Sequence, residues 1–177
     1  SSYDIAVLSN IIVHQSKEML EYSLRGEGIN ANVKFGDYDN IVQDSKKYQD
    51  SNVAIIFWEL CNIIEGFQYK VELLNNNQLD EIFEKTKSEI DLVLKNLQKT
   101  SLVLINKFTS LHFCSFDIRK NNLEVLADQL NQYLENRIPA NVRLVELEKV
   151  IANTGLDNSL DLRYYYSSKA LYTIDFF

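Results

Sequence analysis

Ser9 and Asn10 stand directly after the apolar run Tyr3-Asp4-Ile5-Ala6-Val7-Leu8. A turn at that place can present a hydroxyl nucleophile beside an amide that stabilises an oxyanion. His14 is one of two histidines in the chain and sits close enough in sequence to serve as a general base. Turn formation and helix capping account for the same three residues without any chemistry. Glu59 follows an apolar segment ending at Trp58, where a carboxylate can acquire a raised pKa and act as acid or base, or else pair with a cation. The other histidine, His112 in Ser110-Leu111-His112-Phe113-Cys114, has less context. No third polar group orients either imidazole from spacing alone, so the sequence by itself does not establish a Ser-His-Asp relay.

Other chemistries lack their signatures. The first strand is followed by Ser9-Asn10-Ile11-Ile12, not by the glycines that let a backbone approach a pyrophosphate, which argues against dinucleotide binding of that kind. The carboxylates show no clustered spacing with the histidines, and Cys61 and Cys114 match no paired ligand spacing, so neither metal nor cofactor is expected. Two thiols far apart in sequence read as reduced, buried or partly buried cysteines of a cytoplasmic protein. With 25 acidic and 18 basic side chains the formal charge is -7, which repels nucleic acid and anionic lipid, and no basic patch offsets it. No apolar run approaches the ~20 residues needed to span a bilayer. Nothing in the pattern fixes an oligomeric state.

The candidate residues need a scaffold, and short β-branched runs alternating with helical periods supply one. Strands are expected at Tyr3–Leu8, Asn32–Phe35, Asn52–Trp58, Ser101–Ile105 and Val142–Leu147. The third is the most apolar, so it should be central and covered on both faces. Ser16 can cap a helix carrying Met19, Leu20 and Leu24 and ended by Gly26 and Gly28. The longest helix, Leu79 to Leu97, repeats Leu79, Ile82, Phe83, Ile90, Val93, Leu94 and Leu97 on one stripe. A further helix carries Leu123, Leu126, Leu130, Tyr133 and Leu134 and stops near Pro139. Residues between Cys61 and Gln78, with the run Asn75-Asn76-Asn77, read as a loop or short helix over the sheet.

The 177 residues, 46% of them hydrophobic, suit one α/β domain: a three-layer sandwich around a central, mostly parallel five-stranded sheet. Ligands of such sheets bind at the carboxyl ends of the strands, where the strand order reverses. The residues leaving those ends are Ser9, Asn10 and His14, then Gly36 and Asp37, then Glu59, Cys61 and Asn62, then Asn106 and Thr109, and finally Glu148. The aromatic tail, Tyr164 to Tyr166 and Tyr172 to Phe177, suits either core packing or docking to a partner. The opening Ser1-Ser2 and the abrupt aromatic close at Phe176-Phe177 lead us to expect a fragment of a longer protein.

Three stretches together resemble the N-terminal domain of FkbH-like proteins, the HAD-IIIC family, in which an SGNH-hydrolase-like domain precedes a HAD phosphatase-like domain. They are Ile5-Ala6-Val7-Leu8-Ser9-Asn10 with the helix around Leu20-Glu21-Tyr22-Ser23-Leu24; Gly28-Ile29-Asn30-Ala31-Asn32-Val33-Lys34-Phe35-Gly36-Asp37-Tyr38-Asp39; and Asp161-Leu162-Arg163-Tyr164-Tyr165-Tyr166-Ser167-Ser168-Lys169-Ala170. The resemblance implies a flavodoxin-like, SGNH-like fold and a role near the loading of three-carbon units onto acyl carrier proteins for polyketides, or in surface-polysaccharide pathways. That chemistry belongs to the HAD part, whose Asp-x-Asp-x-Thr motif is absent here.

The resemblance also shows where the active SGNH pattern has lapsed. Aligning Ser9-Asn10-Ile11 with Gly-Asp-Ser puts Ile11 at the nucleophile position, and the closing Asp-x-x-His becomes Asp161-Leu162-Arg163-Tyr164, with Tyr164 in place of the base. Glu59-Leu60-Cys61-Asn62 stands where Gly-x-Asn-Asp is expected. The resemblance therefore implies a non-catalytic or weakly catalytic domain that positions a carrier-bound acyl, glyceryl or sugar substrate, with an acyl carrier protein or a downstream HAD-like domain as partner. Asn10, Gly36, Asp37, Glu59, Asn62, Asn106, Arg163 and Tyr164 are its candidate binding residues. Two alternatives stand beside it: a serine esterase or O-acyltransferase using Ser9, His14 and Asp161, and a protein-interaction domain.

Overall fold

The computed structural model describes residues 2–111 and 119–177. His112 and Cys114 lie outside the described residues. The five expected strands form: β1 Tyr3–Ser9, β2 Ala31–Phe35, β3 Val53–Phe57, β4 Leu102–Asn106 and β5 Val142–Val145. They make one sheet in the order β2-β1-β3-β4-β5, parallel at every pairing. The order runs outward in opposite directions from β1 and β3, so their carboxyl ends define the crevice where such sheets bind ligands. β5 stops short of the expected Leu147 because Glu146 already precedes a helix that begins there.

Eight helices surround the sheet among the described residues: α1 Lys17–Gly26, α2 Ile41–Lys47, α3 Phe67–Lys70, α4 Asn76–Asn96, α5 Asn122–Glu135, α6 Leu147–Thr154, α7 Leu156–Ser159 and α8 Leu162–Ser168. α4 starts earlier than its apolar stripe suggests. The Asn75 side chain accepts from the Gln78 backbone N–H while the Gln78 side chain accepts from that of Asn75, so the asparagine run opens the helix through a capping box. Asn121 and Glu124 open α5 in the same way. Ser16, the expected cap of α1, instead donates its hydroxyl to the Val13 carbonyl at 2.7 Å. No described helix is long and apolar enough to cross a membrane.

Strand alternation splits the core into two clusters. Ala6, Leu8, Ala54, Ile56, Val103 and Ile105 pack under Ile90, Val93, Leu97, Leu126 and Leu130 of α4 and α5, with Ile41 of α2 beside them. Ile5, Val7 and Val33 face the other way, toward Leu147, Ile151, Tyr165, Leu171, Tyr172 and Phe176. The aromatic tail is thus divided: Tyr165, Tyr172 and Phe176 belong to the core, whereas Tyr164 and Tyr166 are exposed. Both faces of β3 are covered, as expected, but unequally, the second face being packed against the cluster of Val7, Tyr172 and Phe176. Ala54 and Ile56 are fully buried, but Val53, Ile55 and Phe57 on the opposite face remain partly exposed.

The β2–α2 turn is built around one buried carboxylate. Asp44, 1% exposed, accepts the Asp37 backbone N–H at 2.7 Å and the Asn40 side-chain amide at 3.1 Å. Gly36 passes so close to it that a Cβ there would overlap an Asp44 carboxylate oxygen. Gly36→Ala should therefore displace Asp44 and lower stability by about 1–3 kcal/mol, the usual cost of overpacking a dense site. The midpoint of urea denaturation reads the effect, and an unchanged midpoint would mean the turn has room to relax.

Candidate functional site at the strand exits

The sheet's hydrogen-bond ladder ends at Ser9, Phe57 and Asn106, and beyond it two asparagine side chains continue the pairing. Asn10 receives the Glu59 backbone N–H on Oδ1 at 2.7 Å and donates Nδ2 to the Glu59 carbonyl at 2.8 Å. From the β4 side, Asn106 receives the Trp58 N–H at 2.6 Å and donates to the Trp58 carbonyl at 2.9 Å. A primary amide offers a donor and an acceptor spaced like those of a peptide group, so each side chain acts as one more rung. Asn62 ties the next turn in, donating to the Asn10 carbonyl and to the Tyr38 hydroxyl. All three asparagines are buried, and the side-chain amide nitrogen of each donates to a backbone carbonyl.

Ser9 is buried at 6% exposure and closes a local ring: its hydroxyl donates to the Ile11 carbonyl at 2.8 Å and accepts the Ile11 N–H at 3.0 Å. Its carbonyl accepts the Asp39 N–H. His14 is exposed and stacks on Phe35, ring centroids 5.0 Å apart. Asp161 caps α8, accepting from the backbone N–H groups of Arg163 and Tyr164 at 3.0 and 3.2 Å. The hydrogen bonds of Ser9, His14 and Asp161 thus do not join them to one another among the described residues. Arg163 and Tyr164 are exposed on α8, and Asp37 is exposed on the β2–α2 turn. Thr109 and Glu148 do meet across the β4 and β5 exits, at 3.4 Å.

Glu59, fully buried, sends its carboxyl to the other side of the sheet, where Oε1 accepts the Tyr172 hydroxyl at 2.6 Å. Burial, then the charge of Glu59 and its hydrogen bond, hold the Tyr172 phenol well above its ordinary pKa. Cys61 lies beside this pair, and its carbonyl accepts the Tyr165 hydroxyl at 3.2 Å. Desolvation, reinforced by Glu59, pushes the Cys61 thiol up to about 12, so this thiol is held in its unreactive protonated form.

An open cleft of 280 Å³ lies on the α2–α4 face of the crevice, with Asn10, Asp39, Gln43, Trp58, Lys85 and Glu89 in its walls. Asp39 adopts a left-handed backbone, φ 54°, which brings its carboxyl to the rim. Desolvation raises its pKa while Lys85 opposes the shift. Lys85 also reaches Glu89 one turn on, at 3.8 Å. The cleft therefore offers one ammonium donor and two carboxylate acceptors above an aromatic and aliphatic floor, a lining suited to a polar ligand with hydroxyl or amide groups. Of the binding residues expected from sequence, Asn10 alone is in its walls. Asp39 closes the second of the three stretches that carry the family resemblance, whereas Gln43, Lys85 and Glu89 come from helix surfaces whose charge pattern carries no sign of a site. Among the described residues no three His, Cys, Asp or Glu side chains gather as metal ligands would.

No protein-family model matches the chain, and no curated protein matches it in sequence. Among solved structures it is similar to the crystal structure of the N-terminal part of the protein BF1531 from Bacteroides fragilis, which contains a phosphatase domain complexed with Mg. The TM-score is 0.72 at 14% sequence identity, and the match covers 98% of this chain and 48% of that one. The chain thus spans about half the length of that neighbour. A likeness at this identity establishes a shared fold.

Two outcomes follow from the packing at the rim. Asn106→Ala strands the N–H and carbonyl of Trp58 in a buried place and should cost about 2–4 kcal/mol, read from chemical denaturation. A loss near zero would show that water replaces the amide. The Cys61 thiol titrates near 9.0 when exposed and about 12 when folded, so its contribution is complete below pH 9 and is lost as the pH rises toward 12. The slope approaches about 1.4 kcal/mol per pH unit, because the unfolded chain sheds the proton first. Cys61→Ala should flatten denaturation measured from pH 8.5 to 10.5 by that amount, and parallel curves would contradict the burial of the thiol.

Proposed function

We propose that this chain is a non-catalytic or weakly catalytic SGNH-like domain of an FkbH-like protein. In this reading it presents a carrier-bound acyl, glyceryl or sugar substrate to a HAD-like phosphatase domain in the cytoplasm, within polyketide or surface-polysaccharide biosynthesis. The observation that carries the reading is the closed state of Ser9. Its hydroxyl both donates to and accepts from Ile11, and the neighbouring amides that an oxyanion would need are committed to Trp58, Glu59 and Asn10. Among the described residues, a rim saturated in this way is suited to positioning groups and offers no nucleophile paired with a base. The family resemblance of the three sequence stretches supports the domain context, as does a fold shared with a chain that contains a phosphatase domain.

The cleft beside Asn10 is the place this reading gives to the substrate. Lys85 donates to carbonyl or hydroxyl oxygens there, and Asp39 and Glu89 accept from hydroxyl or amide groups. A fluorophosphonate probe and short-chain nitrophenyl esters test the proposal. The chain should show neither labelling nor turnover beyond that of the Ser9→Ala variant. Labelling or turnover that disappears in Ser9→Ala would replace the reading with a serine esterase or O-acyltransferase working through Ser9, His14 and Asp161.

A further inference from the structure

The asparagines of the strand exits are occupied by backbone, but the cleft beside them is lined by polar groups that are not. Asp39 precedes α2 and Gln43 lies on it, while Lys85 and Glu89 stand opposite on α4. Among the described residues, the one hydrogen bond or ion pair that these four side chains make is Lys85 with Glu89, 3.8 Å apart on successive turns. Trp58, at the floor, is 4% exposed. Asn106 takes up its backbone N–H and carbonyl, and Phe108 stands edge-on to its ring, centroids 6.2 Å apart. Its indole N–H has no oxygen or nitrogen acceptor among the described residues. A buried indole N–H usually finds a partner, and the opening that this side chain lines is the cleft.

The charge and chemistry of these groups narrow the occupant. Two carboxylates face one ammonium, so a phosphate or a carboxylate meets net repulsion. A plain acyl chain strips water from the charged groups and returns no hydrogen bond. A sugar ring satisfies both demands: its hydroxyls donate to carboxylates and accept from an ammonium or an indole, and its C–H faces pack on Trp58, Ile41 and Ile63. The volume of 280 Å³ equals that of roughly nine waters at ~30 Å³ each, room for one such ring. We propose that the cleft holds a single uncharged sugar ring, with Lys85 and the Trp58 indole donating to its oxygens and Asp39 and Glu89 accepting from its hydroxyls. The inference rests on the functional reading above, which puts the substrate in this cleft without choosing among acyl, glyceryl and sugar groups.

Trp58 is the only tryptophan in the chain, so its indole N–H gives a single resonance in the proton–nitrogen correlation spectrum of the isotope-labelled protein. The test titrates that protein with the methyl glycosides of glucose, galactose, mannose and N-acetylglucosamine, and with methyl glycerate and butyramide as glyceryl and acyl probes. The indole resonance should move saturably with at least one sugar, at lower concentration than with either of the other probes. Lys85→Met and Asp39→Asn change exposed side chains, and asparagine tolerates the left-handed backbone at position 39. Each should weaken the responding sugar about tenfold, the loss of one hydrogen bond to a charged group. Methyl glycerate or butyramide binding as tightly as the best sugar, no saturable shift with any probe, or affinities unchanged in both variants would overturn the sugar site and leave the non-catalytic reading standing. Ester turnover that depends on Ser9 would remove that reading itself.

Discussion

The backbone of Trp58 and Glu59 is held from two sides by side-chain amides, Asn106 on one and Asn10 on the other. A parallel sheet normally loses its ladder where the strands diverge, and the peptide groups there turn to water or to ligands. In this chain the ladder is extended by one rung on each side of β3. The exits of β1, β3 and β4 are thereby tied to one another, and each loop above them starts from a determined place. Asn62 and Tyr38 carry the same network to the β2–α2 turn. Because a buried amide left without partners costs more than a satisfied one contributes, the network is held as a unit.

That constraint sorts the chemistry of the crevice. Polar groups that could have faced a substrate from the floor are spent on the backbone, and Ser9, whose parity places it on the face of Ile5 and Val7, closes on its own turn. Charged groups remain on the wall formed with α2 and α4, where Asp39, Lys85 and Glu89 line an open cleft. The buried Glu59–Tyr172 hydrogen bond anchors the C-terminal segment under the same rim. Tyr172 then stacks on Phe176, ring centroids 3.8 Å apart, so one residue pair links the strand exit to the packing of the tail.

The fold class, the parallel sheet and the central place of β3 could be read from the alternation of apolar runs with helical stripes. The missed elements have local physical reasons. α2 is only Ile41–Lys47 and turns Asp44 and Ser45 inward, so its inner face lacks the apolar repeat that marks a helix. The asparagine run that looks like a loop opens α4, because Asn75 needs Gln78 three residues on to cap it, and composition alone weighs asparagine toward turns. The less deeply buried face of β3 and β4 reads in sequence like the fully buried one.

The sequence by itself determined which residues leave the strand ends, and that neither a phosphate loop nor a metal-ligand spacing is among them. It also marked the apolar stripes of α4 and α5, since a periodicity of 3.6 is written in neighbouring residues. Only the tertiary structure decided what those polar residues do. An asparagine after a strand has the same composition whether it faces a ligand or grips a backbone 48 or 49 residues away, as Asn106 and Asn10 do. That choice depends on which distant peptide group is left without a ladder partner, a property of the assembled sheet and of no segment within it.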